Sequence, residues 1–237
     1  MTFKLAFKYL LRLILLVLLA TSIYLVNLFF MKPFSIDHFL AKETFLEIID
    51  SPESMTYVGI FDNYNWFTGH ASKLTIPSQK QLDRDKAKAR KILETLRSYD
   101  DENLSSIQRA SKKIAIFDTE NTLLRLETFP FHNYVLNQIG GAHIDMVEFM
   151  TDTHPIRNFT EAEAYIDRVR LFDDVFEGHL YELNGQKAID FYAPKFVYER
   201  VIAQLDEFLN FSFEEHPIYT EFDRKINDLN FSEDQKM

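Results

Sequence analysis

Apolar residues dominate the first 31 positions of the chain. The run from Leu13 to Met31 is interrupted only by Thr21, Ser22 and Asn27. At a rise of about 1.5 Å per residue, a helix of this length matches the roughly 30 Å apolar core of a bilayer. A buried core helix fits less well, because no polar stripe recurs at helical spacing. The pattern therefore predicts a transmembrane helix over residues 13–31.

Basic residues predict the direction of this helix. Lys4, Lys8 and Arg12 precede the apolar run, whereas Lys32 alone follows it immediately. Because basic flanks stay on the cytoplasmic side, residues 1–12 are expected in the cytoplasm. The expected location is the inner (cytoplasmic) membrane, crossed once, with the rest of the chain in the periplasm or outside the cell.

Cleavage of this segment is an open alternative. Ala20-Thr21-Ser22 is a passable small-residue cleavage site for a signal peptidase. The apolar run continues for about nine residues beyond it, longer than an ordinary signal peptide allows. This length favours an uncleaved signal anchor.

Periodic apolar positions beyond Pro33 predict a series of helices. The first runs from Ile36 to the turn residues Asp50-Ser51-Pro52, and the segment between Tyr57 and Pro77 has no clear period. Helical spacing returns after Ser78, a suitable cap, and again after about Asn103. The expected inward-facing residues of these two later helices are Leu82, Ala89, Leu93 and Leu96, then Ile107, Ala110, Ile114, Phe117, Leu124 and Leu126.

Two more helices follow in the second half of the chain. Thr160 and Glu163 have the spacing of a capping box, and apolar spacing then continues to Phe176. This predicts one long helix that ends at Gly178 or Gly185. Pro194 suits the first turn of another helix, with Val197, Val201, Leu205, Phe208 and Leu209 facing inward. The chain is therefore expected to be all-α or nearly so, with a helical extracytoplasmic domain over residues 33–231.

Charge and composition exclude several classes of function. After position 32 the chain carries 22 basic and 36 acidic residues, and such an acidic body repels phosphate backbones, so nucleic acid is not an expected partner. Solubility alone explains the acidity, with steering of a cationic substrate as the alternative. The chain has no cysteine, which excludes disulfides, a thiolate nucleophile and cysteine-ligated metals.

The segment Asn137-Gln138-Ile139-Gly140-Gly141 is the first candidate binding site. Side-chain amides can hold an extended peptide by hydrogen bonds, and glycine permits positive φ and close backbone approach. Asn137, Gln138, Gly140 and Gly141 are thus candidate binding residues for an extended peptide or another ligand. The alternative is a tight structured turn between helices.

The histidines do not predict a metal site. None of the seven has a second histidine three or four residues away, the spacing that brings two imidazoles onto one helix face. His143 and His179 each have a carboxylate nearby, at Asp145 and Glu182. We expect no catalytic residue and no metal ligand in this chain.

Short sequence words from Ser51 to Tyr219 resemble a known family in their order. They are Ser51-Pro52-Glu53, Thr56-Tyr57-Val58-Gly59, Asn137-Gln138-Ile139-Gly140-Gly141, Phe149-Met150, His154-Pro155-Ile156, Ala162-Glu163-Ala164-Tyr165-Ile166, Ala193-Pro194-Lys195-Phe196-Val197 and His216-Pro217-Ile218-Tyr219. In these words the chain resembles the N-terminal half of the bacterial domain-of-unknown-function family 885. The resemblance covers roughly residues 41 to 228.

The resemblance implies a fold and an activity for the complete protein. Complete members resemble helical zinc metallopeptidases with two lobes around a deep channel, and their zinc motif lies far downstream. The resemblance therefore implies that the chain supplies a non-catalytic channel wall. Its candidate residues are Asn137, Gln138, Gly140, Gly141, His143 and His154. Zinc is expected only in a C-terminal part that this sequence lacks.

Two hypotheses for the function follow from the sequence. In the first, the chain is the membrane-anchored, non-catalytic N-terminal part of a zinc metallopeptidase, and it pairs with a separately encoded C-terminal half or with itself. In the second, it is a stand-alone extracytoplasmic peptide-binding or scaffold module without catalysis. Ser232-Glu233-Asp234-Gln235 has a capping-box pattern, so residues 232–237 are interpreted as the truncated start of a further helix.

Overall fold

The computed structural model describes residues 3–229, with the side chains described from residue 7 onward. Within that range the secondary structure is helical, with no strand, so the predicted all-α class is confirmed. The predicted helix start at residues 232–237 lies outside the described residues. The helices are α1 Phe3–Phe30, α2 Ile36–Asp50, α3 Pro52–Val58, α4 Asn65–Thr68, α5 Gln79–Arg97, α6 Ser106–Thr128, α7 Ala142–Glu148, α8 Phe159–Val169, α9 Phe172–Ala188, α10 Lys195–Asn210 and α11 Pro217–Asn227.

Helix α1 contains a segment that is long and apolar enough to cross a membrane. This segment runs from Phe7 to Phe30, with a mean hydropathy of 2.5. Asn27, the most polar residue of the apolar run, fixes the turn that follows the helix. Its amide donates to the carbonyl of Lys32 at 2.8 Å, and its side-chain oxygen accepts from the N–H of Phe34 at 2.9 Å.

The chain forms two compact units. Unit 1 comprises residues 1–47 and 88–122, and unit 2 comprises residues 48–87 and 123–237. In unit 1, Ile36, Phe39, Leu96 and Tyr99 form a buried cluster. The Tyr99 hydroxyl donates to the carbonyl of Pro33 at 2.8 Å, and burial raises the pKa of this phenol to about 12. Ala89, Leu93 and Leu96 are buried, so the predicted inward face of α5 is confirmed at these three positions.

Unit 2 contains two buried clusters. Met150, Ile156, Ala162, Tyr165 and Ile218 form the larger one, which joins α8 to α11 and the π-helical turn Phe149–Thr153. The Tyr165 hydroxyl donates to the carbonyl of Ile218 at 3.0 Å. The smaller cluster contains Ala193, Val197 and Val201, so the predicted inner face of α10 is confirmed at Val197 and Val201. Leu209 is 77% exposed, and its predicted inward position is wrong.

The predicted helix after Thr160 is wrong in its cap and in its length. Helix α8 begins after Asn158, whose side chain accepts from the N–H of Glu161 at 3.0 Å. Glu161 in turn accepts from the N–H of Arg157 at 2.6 Å. The N-cap therefore lies two residues before the predicted one, and the Glu161 carboxylate accepts from the residue before the cap, so the arrangement differs from a capping box. Helix α8 ends at Val169, and α9 starts separately at Phe172.

Gly178 and Gly185 do not end a helix, contrary to the prediction. Both lie inside α9, where they allow close packing. A Cβ at Gly178 would lie 2.7 Å from the carbonyl oxygen of Pro77, and a Cβ at Gly185 would lie 2.5 Å from the ring of Phe131. These contacts explain why glycine occupies positions where its helix propensity is poor.

The predicted inward stripe of α6 is wrong. Ile107, Ile114 and Phe117 are 77%, 62% and 65% exposed, and Leu124 is also exposed. In unit 1 the helix instead packs through Ala115 and Ile116, which contact the cluster around Leu96. Helix α6 therefore has two apolar faces, and apolar spacing alone could not say which one is buried.

Candidate functional site

Unit 2 contains a cavity of about 570 Å³ next to the Gly140-Gly141 segment. Its wall comes from the start of α3, the segment 74–77, the loop around residues 133–142, and helices α7 and α9. The apolar residues of this wall include Leu74, Pro77, Val135, Ala142, Met146, Phe149 and Val175. The volume lies within the range of small-molecule binding sites, about 300–1,000 Å³.

The charged groups of the cavity wall are acidic. Glu53, Asp145 and Glu182 line it, and the lining residues in the described part of the chain include no lysine or arginine. His179 also lines the cavity, and its Nδ1 lies 2.8 Å from Glu182 Oε2, one turn along α9. The carboxylates give this half-apolar cavity a negative potential, which favours a cationic ligand.

Glu53, at the start of α3, connects its part of the cavity wall to the segment 74–77. Its carboxylate accepts from the Thr75 N–H at 2.6 Å and from the Thr75 hydroxyl at 2.7 Å. The Ser51 hydroxyl also donates to it, at 3.0 Å. Because these donors use both oxygens, Glu53 holds the wall in shape. Asp145 and the His179–Glu182 pair are better placed to contact a ligand.

The predicted segment Asn137–Gly141 forms a tight turn at the cavity. The Asn137 side-chain oxygen accepts from the N–H groups of Ile139 and Gly140 at 3.0 and 2.9 Å, and its amide donates to the carbonyl of Gly140. The Gln138 carbonyl accepts from Gln204 at 3.1 Å. Asn137 is therefore used within the turn, whereas Gly140 and Gly141 line the cavity.

Gly141 is required by close backbone approach rather than by positive φ. Its φ is −136°, an extended value that any residue adopts. A Cβ there would lie 2.6 Å from the backbone nitrogen of Asn137, too close for any side chain. The absence of a side chain thus lets the turn close and keeps this part of the wall at backbone level.

His143 and His154 are both buried in unit 2, and neither is among the residues that line the cavity. The Nε2 atom of His143 lies 3.1 Å from the Gln204 side-chain oxygen, and its Nδ1 atom is buried without a partner among the described residues. His154 is 1% exposed, with Nδ1 2.7 Å from a guanidinium nitrogen of Arg168 and Nε2 3.3 Å from the Glu161 carbonyl.

Arg168 organises the interior behind the cavity. It is fully buried, and its guanidinium donates to the carbonyls of Lys73 and His70 and to the Thr56 hydroxyl, at 2.9, 3.0 and 2.7 Å. The guanidinium also lies 4.8 Å from the ring centre of Phe149, which lines the cavity. Arg168 therefore positions one cavity wall from inside the fold.

Burial and the neighbouring Arg168 cation together favour the neutral form of the His154 imidazole. Desolvation lowers the pKa of His154 to about 3, and the charge of Arg168 adds to the effect. Since the guanidinium can only donate, Nδ1 accepts and Nε2 carries the proton that is given to Glu161. His154 thus serves as a buried acceptor for Arg168.

No group of three or more His, Cys, Asp or Glu residues is placed to hold a metal ion among the described residues. The pair His179–Glu182 comes nearest to such chemistry in the cavity. Its spacing of three on one helix face is visible in the sequence, but a single histidine with a single carboxylate is common by chance. The sequence does not predict Asp145 and Glu53 as site residues, because only the fold brings their distant segments to the same cavity wall.

Residues 52–237 match the family described as "Bacterial protein of unknown function (DUF885)". The fold is similar to that in "The crystal structure of the putative lipoprotein from Colwellia psychrerythraea", with a TM-score of 0.66 and 21% sequence identity. The match covers 78% of this chain and 33% of that one, so the chain spans about a third of its length. No curated protein matches the chain.

Proposed function

Since the chain belongs to the DUF885 family, we propose that it is the membrane-anchored, peptide-binding N-terminal part of a zinc-metallopeptidase-like protein. Its cavity beside Gly140-Gly141 would receive the amino-terminal end of a peptide. The observation that carries this proposal is the combination of carboxylates and apolar side chains in one wall without a lysine or arginine among the described lining residues.

The chemistry of a peptide's amino end matches this wall. A terminal ammonium is positive at neutral pH and can donate three hydrogen bonds. The carboxylates of Asp145 and Glu182 can accept such hydrogen bonds. The side chains of the first residues have an apolar surface to contact at Leu74, Met146 and Val175. An amine without an apolar body would leave most of this wall unused, so the geometry favours a peptide over a simple cation.

Hydrolysis is assigned to another part of the protein in this proposal. The proposal expects the zinc motif downstream, and it is supported by a similar solved structure that is about three times as long as the matched region. The cavity would then form one wall of a longer channel and hold the peptide while zinc chemistry occurs elsewhere. The chain by itself would bind peptides without cleaving them.

A binding measurement tests the proposal directly. The full chain in detergent or nanodiscs is titrated with trileucine and with N-acetyl-trileucine. We expect the free amine to bind up to about fivefold more tightly, since one solvent-accessible charge pair contributes up to about 1 kcal/mol. This preference should weaken as salt is added.

Variants of the wall provide the control. Asp145→Asn and Glu182→Gln should each reduce the preference for the free amine, because each removes one negative charge from the cavity. Glu177→Gln removes the same charge from an exposed position of the same helix, α9, and should leave binding unchanged. Equal binding of both peptides, or an equal effect of Glu177→Gln, would contradict the proposal.

A further inference from the structure

The exposed face of α6 carries a regular apolar stripe within unit 1. Its members are Ile107, Ala110, Ile114 and Phe117, followed by the polar Asn121 at the end of the stripe. They follow one another at alternating steps of three and four residues. All five are exposed in the chain, the two isoleucines and the phenylalanine by more than 60%. Apolar surface of this size is costly in water, at about 25 cal/mol for each Å² left exposed.

The rotation of the helix is fixed by its other face. Ala115 and Ile116 pack against the cluster that contains Leu96 and Tyr99. The Lys112 ammonium donates to the Tyr99 carbonyl and to Asp101, both at 2.6 Å. At about 100° per residue, these anchoring positions lie nearly opposite the stripe. The stripe therefore cannot turn inward without breaking the core of unit 1.

The spacing indicates what kind of surface covers the stripe. Steps of three and four residues form a heptad pattern, in which Ile107, Ile114 and Asn121 occupy a positions and Ala110 and Phe117 occupy d positions. A helix with the same pattern packs on such a seam. In sequence, the pattern continues with Leu124 at the next d position.

The residues at the a positions select a parallel pair of identical helices. Isoleucine at a is the residue found there in two-stranded coiled coils, in which d is usually leucine; here the d positions hold Ala110 and Phe117. A single asparagine at a specifies register because it is best buried against the same asparagine of the partner. In an antiparallel arrangement that opposes Ile114 and Phe117, Asn121 would instead face Ala110 and lose an amide partner. The Asn121 amide now donates to the Phe117 carbonyl at 2.9 Å.

The charges beside the seam are complementary in the parallel register. Lys113 lies at the g position and Asp118 at the following e position, on opposite flanks of the stripe. In a parallel in-register pair, g of one helix approaches e of the next heptad in the other. Lys113 of each copy would therefore meet Asp118 of the second copy, and two-fold symmetry makes this contact twice.

We infer that two copies of this chain pair through the α6 stripe as a short parallel coiled coil. The stripe spans about two heptads, which is marginal for isolated peptides, but here the helix is already formed and held by the core of unit 1. Anchoring of both copies by α1 in one membrane would also raise their effective concentration. This inference does not depend on the peptide-binding cavity.

Disulfide trapping tests the parallel register, because the chain has no cysteine of its own. Ala110→Cys introduces a small thiol at a d position, where the two copies approach in a parallel pair. We expect the full chain in membranes to form a covalent dimer under a mild oxidant. Thr122 is an exposed residue of the same helix away from the stripe. The Thr122→Cys chain should form at least about tenfold less covalent dimer.

Charge exchange provides the second readout. Lys113→Glu and Asp118→Lys should each reduce trapping of the Ala110→Cys chain several-fold, because each places like charges opposite one another. The double exchange should restore trapping, whereas circular dichroism should show unchanged helix content throughout. Lack of Ala110→Cys trapping, or trapping that equals that of Thr122→Cys, would overturn the inference. An antiparallel pair or a stripe covered by another part of a longer protein would give that result.

Discussion

Arg168 is a buried cation whose hydrogen bonds go to neutral acceptors. Desolvation lowers its pKa to about 10, so the guanidinium remains protonated at neutral pH. The acceptors come from the chain near Thr56, the segment 70–73 and His154, all within unit 2. Removing one partner of such a buried charge is costly, which makes the state of His154 important for stability.

His154 should make the stability of unit 2 depend on pH. Its pKa is about 3 in the folded chain, against about 6.5 in the unfolded chain, and desolvation also lowers the pKa of buried His70. The unfolded chain therefore binds protons first as the pH falls. Stability is fully present above pH ~6.5 and is lost progressively toward pH ~3, by about 1 kcal/mol per pH unit for His154.

Urea unfolding of the full chain between pH ~7 and ~4.5 measures this effect. Above pH ~5.5 the carboxylates with lowered pKa values stay ionised in both states, so the histidines dominate the slope there. His154→Asn, which keeps an acceptor for Arg168, should give a shallower slope. His132→Asn, at an exposed position, should keep the slope of the unsubstituted chain. Identical slopes for all three chains would contradict the assignment of neutral His154.

At the scale of elements, helix existence follows from the sequence more closely than helix ends. Helices α2, α5 and α10 lie close to their predicted ranges, because apolar spacing and turn residues such as Ser51 and Ser78 agree there. The break between α8 and α9 could not be predicted, because apolar spacing continues across it. The sequence predicts a helix end at Gly178. The reason for this glycine is its close packing against Pro77, about 100 positions away, which no local pattern shows.

The candidate site was predictable only in part, for a related reason. The glycines at 140 and 141 are unusual in sequence, and they do line the cavity. Glu53, Asp145 and Glu182 are ordinary surface residue types, and only the fold brings their segments to one wall. His154 is a candidate wall residue only through the family resemblance, whereas its environment depends on Arg168, which no local pattern marks.

The cap of α8 gives a direct test of the structure against the sequence interpretation. Asn158→Ala removes the acceptor for the Glu161 N–H and should destabilise the chain by about 1 kcal/mol. Thr160→Ala should change stability by less than about 0.5 kcal/mol, because Thr160 lies inside the first turn and is exposed. Urea unfolding of both variants distinguishes the two assignments. A larger loss for Thr160→Ala would restore the predicted capping box.

At the scale of the whole molecule, each unit exposes large apolar side chains. Trp66, Phe67, Leu209 and Phe213 of unit 2 are all more than two-thirds exposed. Exposed apolar residues are normal when scattered, and a contiguous patch of more than a few hundred Å² marks an interaction surface. If the chain is one half of a two-lobed fold, the surface that faces the other lobe is expected to form such a contiguous patch, and this stays a prediction.

Membrane orientation sets which compartment supplies the peptides and partners of this chain. An α1 span with Lys4, Lys8 and Arg12 on its cytoplasmic side would place the acidic body outside, where secreted or periplasmic peptides reach the cavity. A cleaved signal peptide would give the same compartment without the anchor, and the mature protein would then begin near Ile23. Reporter fusions therefore test the compartment, whereas the N-terminus of the mature protein shows whether the anchor is retained.

Reporter fusions at the C-terminus test the orientation. We expect an alkaline phosphatase fusion to be active and a cytoplasm-dependent reporter at the same point to be inactive. Changing Lys4, Lys8 and Arg12 to Glu should shift part of the population to the opposite orientation, because only basic residues close to the span direct insertion. The same exchange at Lys80, Arg84 and Lys91 should not, since these lie far from it in sequence. An active cytoplasmic reporter in the unsubstituted chain would place the cavity in the cytoplasm, and its ligands would then be cytoplasmic peptides.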